Sequence, residues 1–368
     1  DDIPNKKYVD DEIADISATK NYIINGNFDY WQRGISFAAI ANSTYNADRF
    51  EYSKVGAMVH TLSRSLDVPT LAESDFPSTA SMLVDCTTID AAIAAGDTCF
   101  ISHKIEGYNF APLHNKTFTL SFWVKATKTG IYCVGFQNAA PNRSYVSEYT
   151  VLASNVWEKK TITVTHDDTG TWDLVAGIGL SVNFVLAEGS TFQTTADTWQ
   201  AGNYRSTSNQ VNACDNTANN FLLSQIIINE GSGAAPYCRA GKDIQEELAM
   251  CQRYYEKSYA ITTTPFTVTN TGSHLIHVDA SIAATKGYGT VKFATAKRDA
   301  GTVTSIPIVT PANTFRVTDG QNAVDFGANS GDIMWGTEQG FSIYNNTGGV
   351  LAPTFQSVQF HWTCDAEL

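Results

Sequence analysis

The chain has 368 residues, enough for two or three domains that each bury a core. Apolar residues at 43% and aromatics at 11% are globular values, and charged residues at only 17% leave a surface of hydroxyls and amides. With 24 Lys+Arg against 37 Asp+Glu the net charge is -13, and no basic run offsets it, which argues against nucleic acid and anionic membranes as partners.

In residues 1–20, Val9, Ile13 and Ile16 form a single heptad's apolar seam. The spacing predicts a short stem helix, and so short a helix holds only when packed on its own domain or as the end of a longer multi-stranded stem. The N-terminal Asp1-Asp2-Ile3-Pro4 has neither a basic nor an apolar leader region and does not read as a signal peptide.

From Asn21 the text turns to short apolar segments punctuated by Gly, Asn, Asp and Pro. The clearest is Phe118–Ala126, where Phe118, Leu120, Phe122, Val124 and Ala126 alternate with polar residues and Trp123. Period two predicts a strand with one core face. Ile131–Gln137, Lys160–Thr165, Leu174–Leu186 and Phe221–Asn229 read likewise, and strands without interleaved helices predict an antiparallel sandwich or jelly roll. The apolar stretch Leu174–Ala187 is too short and too interrupted to span a bilayer. Gly189–Asn220 is a polar insertion holding Trp199 and Tyr204, of a length usually functional or poorly ordered.

A helix is predicted over Ile244–Lys257, capped by Asp243 with Glu246 completing a capping box, and with Ile244, Leu248, Cys251 and Tyr255 as its buried stripe. Beyond it the text returns to β: Phe266–Val268, Leu275–Val278, Val291–Ala294, Phe315–Val317, Phe341–Tyr344 and Val358–Trp362. The expected organisation is a stem (1–20), a first sandwich (21–240), a connector helix (241–260) and a second sandwich (261–368). No fixed-period repeat suggests a solenoid.

Seven scattered cysteines contain no CxxC pair, which argues against a zinc ribbon or a redox motif. They read as reduced thiols of a protein assembled in a cytosol, with Cys133 and Cys251 at apolar positions and a Cys86–Cys99 bridge left open. No GxSxG element is present, and the GxG fragments at Gly177 and Gly287 lack the rest of a dinucleotide fingerprint. His274 and His277 would point to opposite faces of one strand. The pair Asp167–Asp168 reads as a turn, and Glu246–Glu247 as the helix face away from its stripe. The aromatics in polar segments are the informative class, because indole and phenol rings stack on the C–H faces of sugars while amides and guanidinium groups bind hydroxyls. Trp199, Tyr204 and Arg205 form one candidate glycan patch; Trp335, Tyr344 and Asn345 form another.

Lys6-Lys7-Tyr8-Val9-Asp10-Asp11 resembles an element of phage tail-fibre stems. Asn21 to Gly34 and Tyr45-Asn-Ala-Asp-Arg-Phe50 resemble the opening signature of a carbohydrate-binding-module-like jelly roll found in phage tail proteins. Phe118–Ala126 looks like that domain's LSFWVKA strand and Thr198–Tyr204 like its loop. Leu222–Gly231 looks like its closing strand, with Ile228-Asn229-Glu230 where Gln-Leu-Glu is commoner. Glu247–Glu256 resembles the domain's next helix, and Asp365–Leu368 its usual ending. The likeness is strong over residues 6–50 and 118–257 and weak over 258–360. It implies a virion tail-fibre location, a homotrimer, contact with other tail proteins, and binding of host lipopolysaccharide or capsule without catalysis. It implies no cofactor beyond a structural calcium that such sandwiches sometimes hold, for which Asp29 and Asp48 are the candidate ligands. Two alternatives stay open: a purely structural virion fibre or connector, and a polysaccharide depolymerase.

Overall fold

The structure is a computed structural model, and it describes residues 20–278, 286–306, 315–318, 323–326, 332–346 and 356–368. Val9, Ile13 and Ile16 of the expected stem lie outside the described residues. The chain is mainly antiparallel β. Two compact units divide it. The first runs to Asp29 and from Ser36 to Glu247; the second takes Tyr30–Ile35 and Leu248–Leu368.

The strands of the first unit are β1 (Ser36–Phe37), β2 (Thr44–Tyr45), β3 (Phe50–Val55), β4 (Val59–Ser65), β5 (Ser81–Thr88), β6 (Thr98–Glu106), β7 (Thr117–Ala126), β8 (Gly130–Gln137), β9 (Arg143–Val151), β10 (Glu158–Thr165), β11 (Ile178–Glu188), β12 (Gln200–Ala201) and β13 (Asn220–Glu230). They form a six-stranded sheet in the order β1-β4-β5-β13-β7-β10 and a seven-stranded sheet in the order β12-β9-β8-β11-β6-β3-β2.

The alternation in β7 does what period two requires. Phe118 and Phe122 point across to the other sheet, with ring centroids 5.7 Å from Phe136 and 5.1 Å from both Tyr149 and Phe184. Each such fully buried ring contributes about 1.5–3 kcal/mol relative to exposure. On the opposite face of β7, Thr119 meets Thr163 of β10 at 3.1 Å, and Trp123 packs with Trp157 and Leu222.

The five strands predicted in this unit are present, the fourth starting at Ile178 rather than Leu174, but β3, β4, β5, β6, β9 and the two-residue strands β1, β2 and β12 are not visible from periodicity. In β6 His103 shares a face with Ile101 and Ile105, while Phe100 shares the other with Ser102 and Lys104, so the apolar and polar residues do not alternate cleanly.

The helix is shorter than its pattern predicts, spanning Ile244–Gln252. Tyr255–Lys257 is instead strand β14, paired with Thr363–Asp365, and the Ala366 amide donates to the Tyr254 carbonyl. Asp243 caps the helix by accepting from the amides of Gln245 (2.7 Å) and Glu246 (2.9 Å); the return bond from Glu246 lands on Lys242. The expected stripe holds at Cys251 and Tyr255, which are buried, and in part at half-buried Leu248, but not at its start. Ile244 is 43% exposed, whereas Glu247 is buried and accepts from the amides of Asn25 and Gly241.

The second unit continues with β15 (His274–Val278), β16 (Lys286–Lys292), β17 (Thr302–Ile306), β18 (Phe315–Thr318), β19 (Ala323–Phe326), β20 (Asp332–Thr337), β21 (Gly340–Asn346) and β22 (Gln356–Asp365). β22 pairs with β14, β15, β17 and β18, and β21 pairs with β16 and β20. The predicted strand Phe266–Val268 is absent: Phe266 sits in a turn at φ 68°, and the Thr267 amide closes on Thr264. Phe293, Phe341 and Trp362 form an aromatic core with centroids 5.5–5.9 Å apart. Tyr30–Ile35 joins this unit through Gln32, which donates to the Tyr255 carbonyl at 3.0 Å, and through Arg33, which pairs with Asp365 and Glu367.

Candidate functional site: an aromatic end of the first sandwich

Strand register places the end of β6 beside the start of β11, the start of β7 beside the end of β10, and the end of β8 beside the start of β9. One end of the sandwich is therefore closed by the segments that connect these strands. Phe110 comes from the helical turn Gly107–Phe110, and His114 from just beyond it. His166 and Trp172 lie in the β10–β11 loop, Tyr145 on β9 and Trp199 just before β12.

The rings form one connected cluster. His166 is buried at its centre, with centroids 4.3 Å from Trp172, 5.3 Å from Trp199, 5.2 Å from Phe110 and 5.1 Å from His114. Trp172 and Trp199 stand at 89° to each other, 5.5 Å apart, and both are half-buried. Their ring nitrogens donate to backbone carbonyls, Trp199 to that of Thr165 (2.8 Å) and Trp172 to that of Thr169 (3.1 Å). These bonds restrain both rings, each of which keeps part of its surface accessible. Burial, and then the neighbouring His114, pull the His166 imidazole down to about 4, with Asp167 and Asp168 acting in the opposite sense. Around the rings stand the Arg143–Asp167 ion pair, exposed Asp168 and exposed Asn142. Fixed rings beside carboxylates, an amide and a guanidinium group are suited to stacking a sugar ring and hydrogen-bonding its hydroxyls.

The predicted glycan patch around Trp199 is divided by the structure. The insertion after Gly189 lies along the outer face of β8 and β11: the Val211 amide donates to the Ile131 carbonyl, the Ala213 amide to Leu186, and Gln137 donates to Asn203 and to the Tyr204 carbonyl. A side chain at Gly135 would place its Cβ 2.7 Å from the Arg205 Cα, so the insertion is seated directly on the sheet. Tyr204 packs half-buried against Cys133, Val146 and Val185. Arg205 faces the interior, ion-paired with buried Glu188 at 2.6 Å and flanked by the rings of Phe100 and Phe192. Burial pushes the Glu188 carboxyl up to about 7, against the opposing pull of Arg205 and Thr98.

Of the second patch, Trp335 is on β20 and Tyr344 and Asn345 are on β21, so they belong to paired strands rather than to a loop; their side chains lie outside the described residues. Asp29 accepts from Asn27 and pairs with Arg239 at 2.9 Å, and Asp48 is buried. Neither is in a cluster of three or more metal-binding side chains among the described residues. Sequence reasoning missed Trp172, although it lies in a polar segment, Asp167-Asp-Thr-Gly-Thr-Trp172, of the same character as the one around Trp199.

A separate cleft of about 170 Å³ opens on the outer face of β7 and β13, lined by Ser121, Trp123, Lys159, Gln225 and Tyr237 among others. Trp123 is only 9% exposed there, so it offers little ring face to a ligand.

No protein family's sequence profile matches the chain, and no curated protein matches it. Solved structures do. The bacteriophage CBA120 tailspike protein 4 enzymatically active domain aligns at 14% identity and TM-score 0.31, over 53% of this chain and 21% of that one. A family 11 carbohydrate-binding module from Clostridium thermocellum, in complex with a β-1,3-1,4-mixed-linked tetrasaccharide, aligns at 11% identity and TM-score 0.29, over 54% and 97%. TmCBM61, in complex with β-1,4-galactotriose, aligns at 9% identity and TM-score 0.30, over 58% and 99%.

Proposed function

We propose that the chain is a glycan-binding part of a phage tail fibre, acting as a homotrimer that holds host surface polysaccharide without cleaving it. The observation that carries the binding role is the fixed, half-buried pair Trp172 and Trp199, set among Arg143, Asp167, Asp168 and Asn142 at one end of the first sandwich. The tail-fibre setting rests on the sequence resemblance in residues 6–50 and 118–257. Each ring–sugar contact would contribute about 0.5–1.5 kcal/mol, the scale of aromatic pairs, so one site is weak. Three copies on one particle raise apparent affinity by roughly 10²-fold or more where geometry permits.

A glycan array with the purified chain tests the reading, repeated with Trp172→Ala and Trp199→Ala. The expected result is binding to bacterial lipopolysaccharide or capsule that both substitutions abolish while the fold persists. Bound glycan in both folded variants would move the site elsewhere, with the Trp123 cleft next to be tested through Gln225→Ala. Released oligosaccharides would replace the reading with a depolymerase.

A further inference from the structure

The opposite end of the same sandwich holds a cluster that glycan binding does not use. His60 of β4 stands cross-strand from Cys86 of β5; Cys99 comes from β6 in the other sheet, and Cys214 from the end of the insertion. All four are essentially fully buried. The ligand atoms of His60, Cys99 and Cys214 lie within 4.8 Å of one another, with Cys214 Sγ 3.6 Å from His60 Nε2 and Cys99 Sγ 3.9 Å from His60 Nδ1. The Tyr52 hydroxyl lies 2.7 Å from His60 Nδ1 and 3.7 Å from Cys99 Sγ. Cys86 Sγ lies 3.8 Å from the Cys214 carbonyl, at the margin of the cluster.

We propose that His60, Cys99 and Cys214 form a structural zinc site that ties the two sheets and the insertion together. A tetrahedral zinc with bonds of about 2.3 Å to sulfur and about 2.0 Å to nitrogen sets neighbouring ligand atoms roughly 3.5 Å apart. The Cys214–His60 spacing already has that value. With Tyr52 accepting from Nδ1–H, the Nε2 lone pair faces Cys214, the outer-shell arrangement that fixes a ligating imidazole. The donors are sulfur and nitrogen with no carboxylate, which selects a zinc or copper(I) type ion over calcium or magnesium. Charge favours zinc: two thiolates neutralise a dication, whereas a monovalent copper would leave net negative charge in the core.

Because the site is closed, the ion must enter during folding. The full chain is therefore produced in zinc-supplemented medium and, separately, refolded from denaturant with cobalt(II). The expected results are close to one zinc per chain by elemental analysis, and tetrahedral cobalt absorption with a sulfur-to-metal charge-transfer band. Tyr52→Phe should weaken zinc affinity roughly ten- to hundredfold while keeping the cobalt spectrum, as expected for a positioning residue. Cys99→Ala with Cys214→Ala should abolish the charge-transfer band. If that double variant does not fold, the cobalt spectrum of the unaltered chain still decides. Folded chain without metal, a Cys99–Cys214 disulfide by mass spectrometry, zinc retained equally by the folded double variant, or copper(I) held in preference to zinc would each overturn the proposal.

Discussion

Replacing Arg205 with Ala tests how the insertion is held. The guanidinium group makes its bonds to Glu188 (2.6 and 2.9 Å), Asn203 (2.8 Å) and Thr98 (3.4 Å), with ring centroids of Phe192 and Phe100 at 4.4 and 4.7 Å. Removing it leaves a carboxyl group whose side chain has no solvent exposure with the Thr98 hydroxyl (2.7 Å) but without its cation. Breaking a buried pair from one side costs about 3–5 kcal/mol, a large part of the roughly 5–15 kcal/mol that holds a domain folded. The sign with pH is set by Glu188. Its folded pKa, about 7, is above the ordinary 4.5, so its proton is retained in the folded state and lost in the unfolded one. Its contribution is therefore full below 4.5 and declines as pH rises through 7. Without Arg205 the folded pKa climbs further, and the decline extends to higher pH. The expected deficit in urea unfolding, tracked by tryptophan fluorescence, is about 3–5 kcal/mol at pH 8 and clearly smaller at pH 5. The double substitution Arg205→Met with Glu188→Gln should recover most of it. A deficit under about 1 kcal/mol, or one equal at both pH values, would refute a buried ion pair.

His166, held neutral down to about pH 4, should make the fold acid-sensitive: its contribution is complete above pH 6.5 and is lost as pH falls from 6.5 towards 4. Thermal melts should show a steeper acid-side loss for the unaltered chain than for His166→Asn; parallel slopes would count against the buried imidazole. Glu247→Ala leaves the amides of Asn25 and Gly241 without their acceptor and should cost about 1–3 kcal/mol, read as a lower melting temperature. Light scattering should give three times the chain mass, and a monomer that persists at high concentration would remove the trimer from the proposed function.

The sequence showed where simple periodicity survives folding. Phe118–Ala126 alternates because one of its faces meets the other sheet and the other does not, and so it is legible. In β6 His103 falls on the face of Ile101 and Ile105, and Phe100 on that of Ser102 and Lys104, which erases the pattern. The helix was read one turn too long because Tyr255 suits a helical stripe and a strand equally well; the backbone partners on β22 decide the matter. At the aromatic end, Trp199 was visible as a tryptophan in polar surroundings, whereas Trp172, Tyr145 and His166 come together only through strand register. Arg205 shows the reverse case, since its polar context gave no sign that it turns inward to Glu188. The His60–Cys99–Cys214 cluster has no spacing to find, because its members come from separate strands and a loop.

The short segment Tyr30–Ile35 has a consequence for the order in which the molecule can be completed during synthesis. Arg33 bonds to Asp365 and Glu367, 332 and 334 residues further along. At about 5–20 residues per second, a ribosome needs roughly 15–70 s to deliver those partners after Arg33 has emerged. For that interval the residues on both sides of the segment can begin pairing strands while Arg33 waits for Asp365 and Glu367. A ribosome that stops before Asp365 leaves Arg33 without the carboxylates it closes upon, so the finished segment depends on a stretch of chain made more than three hundred residues later.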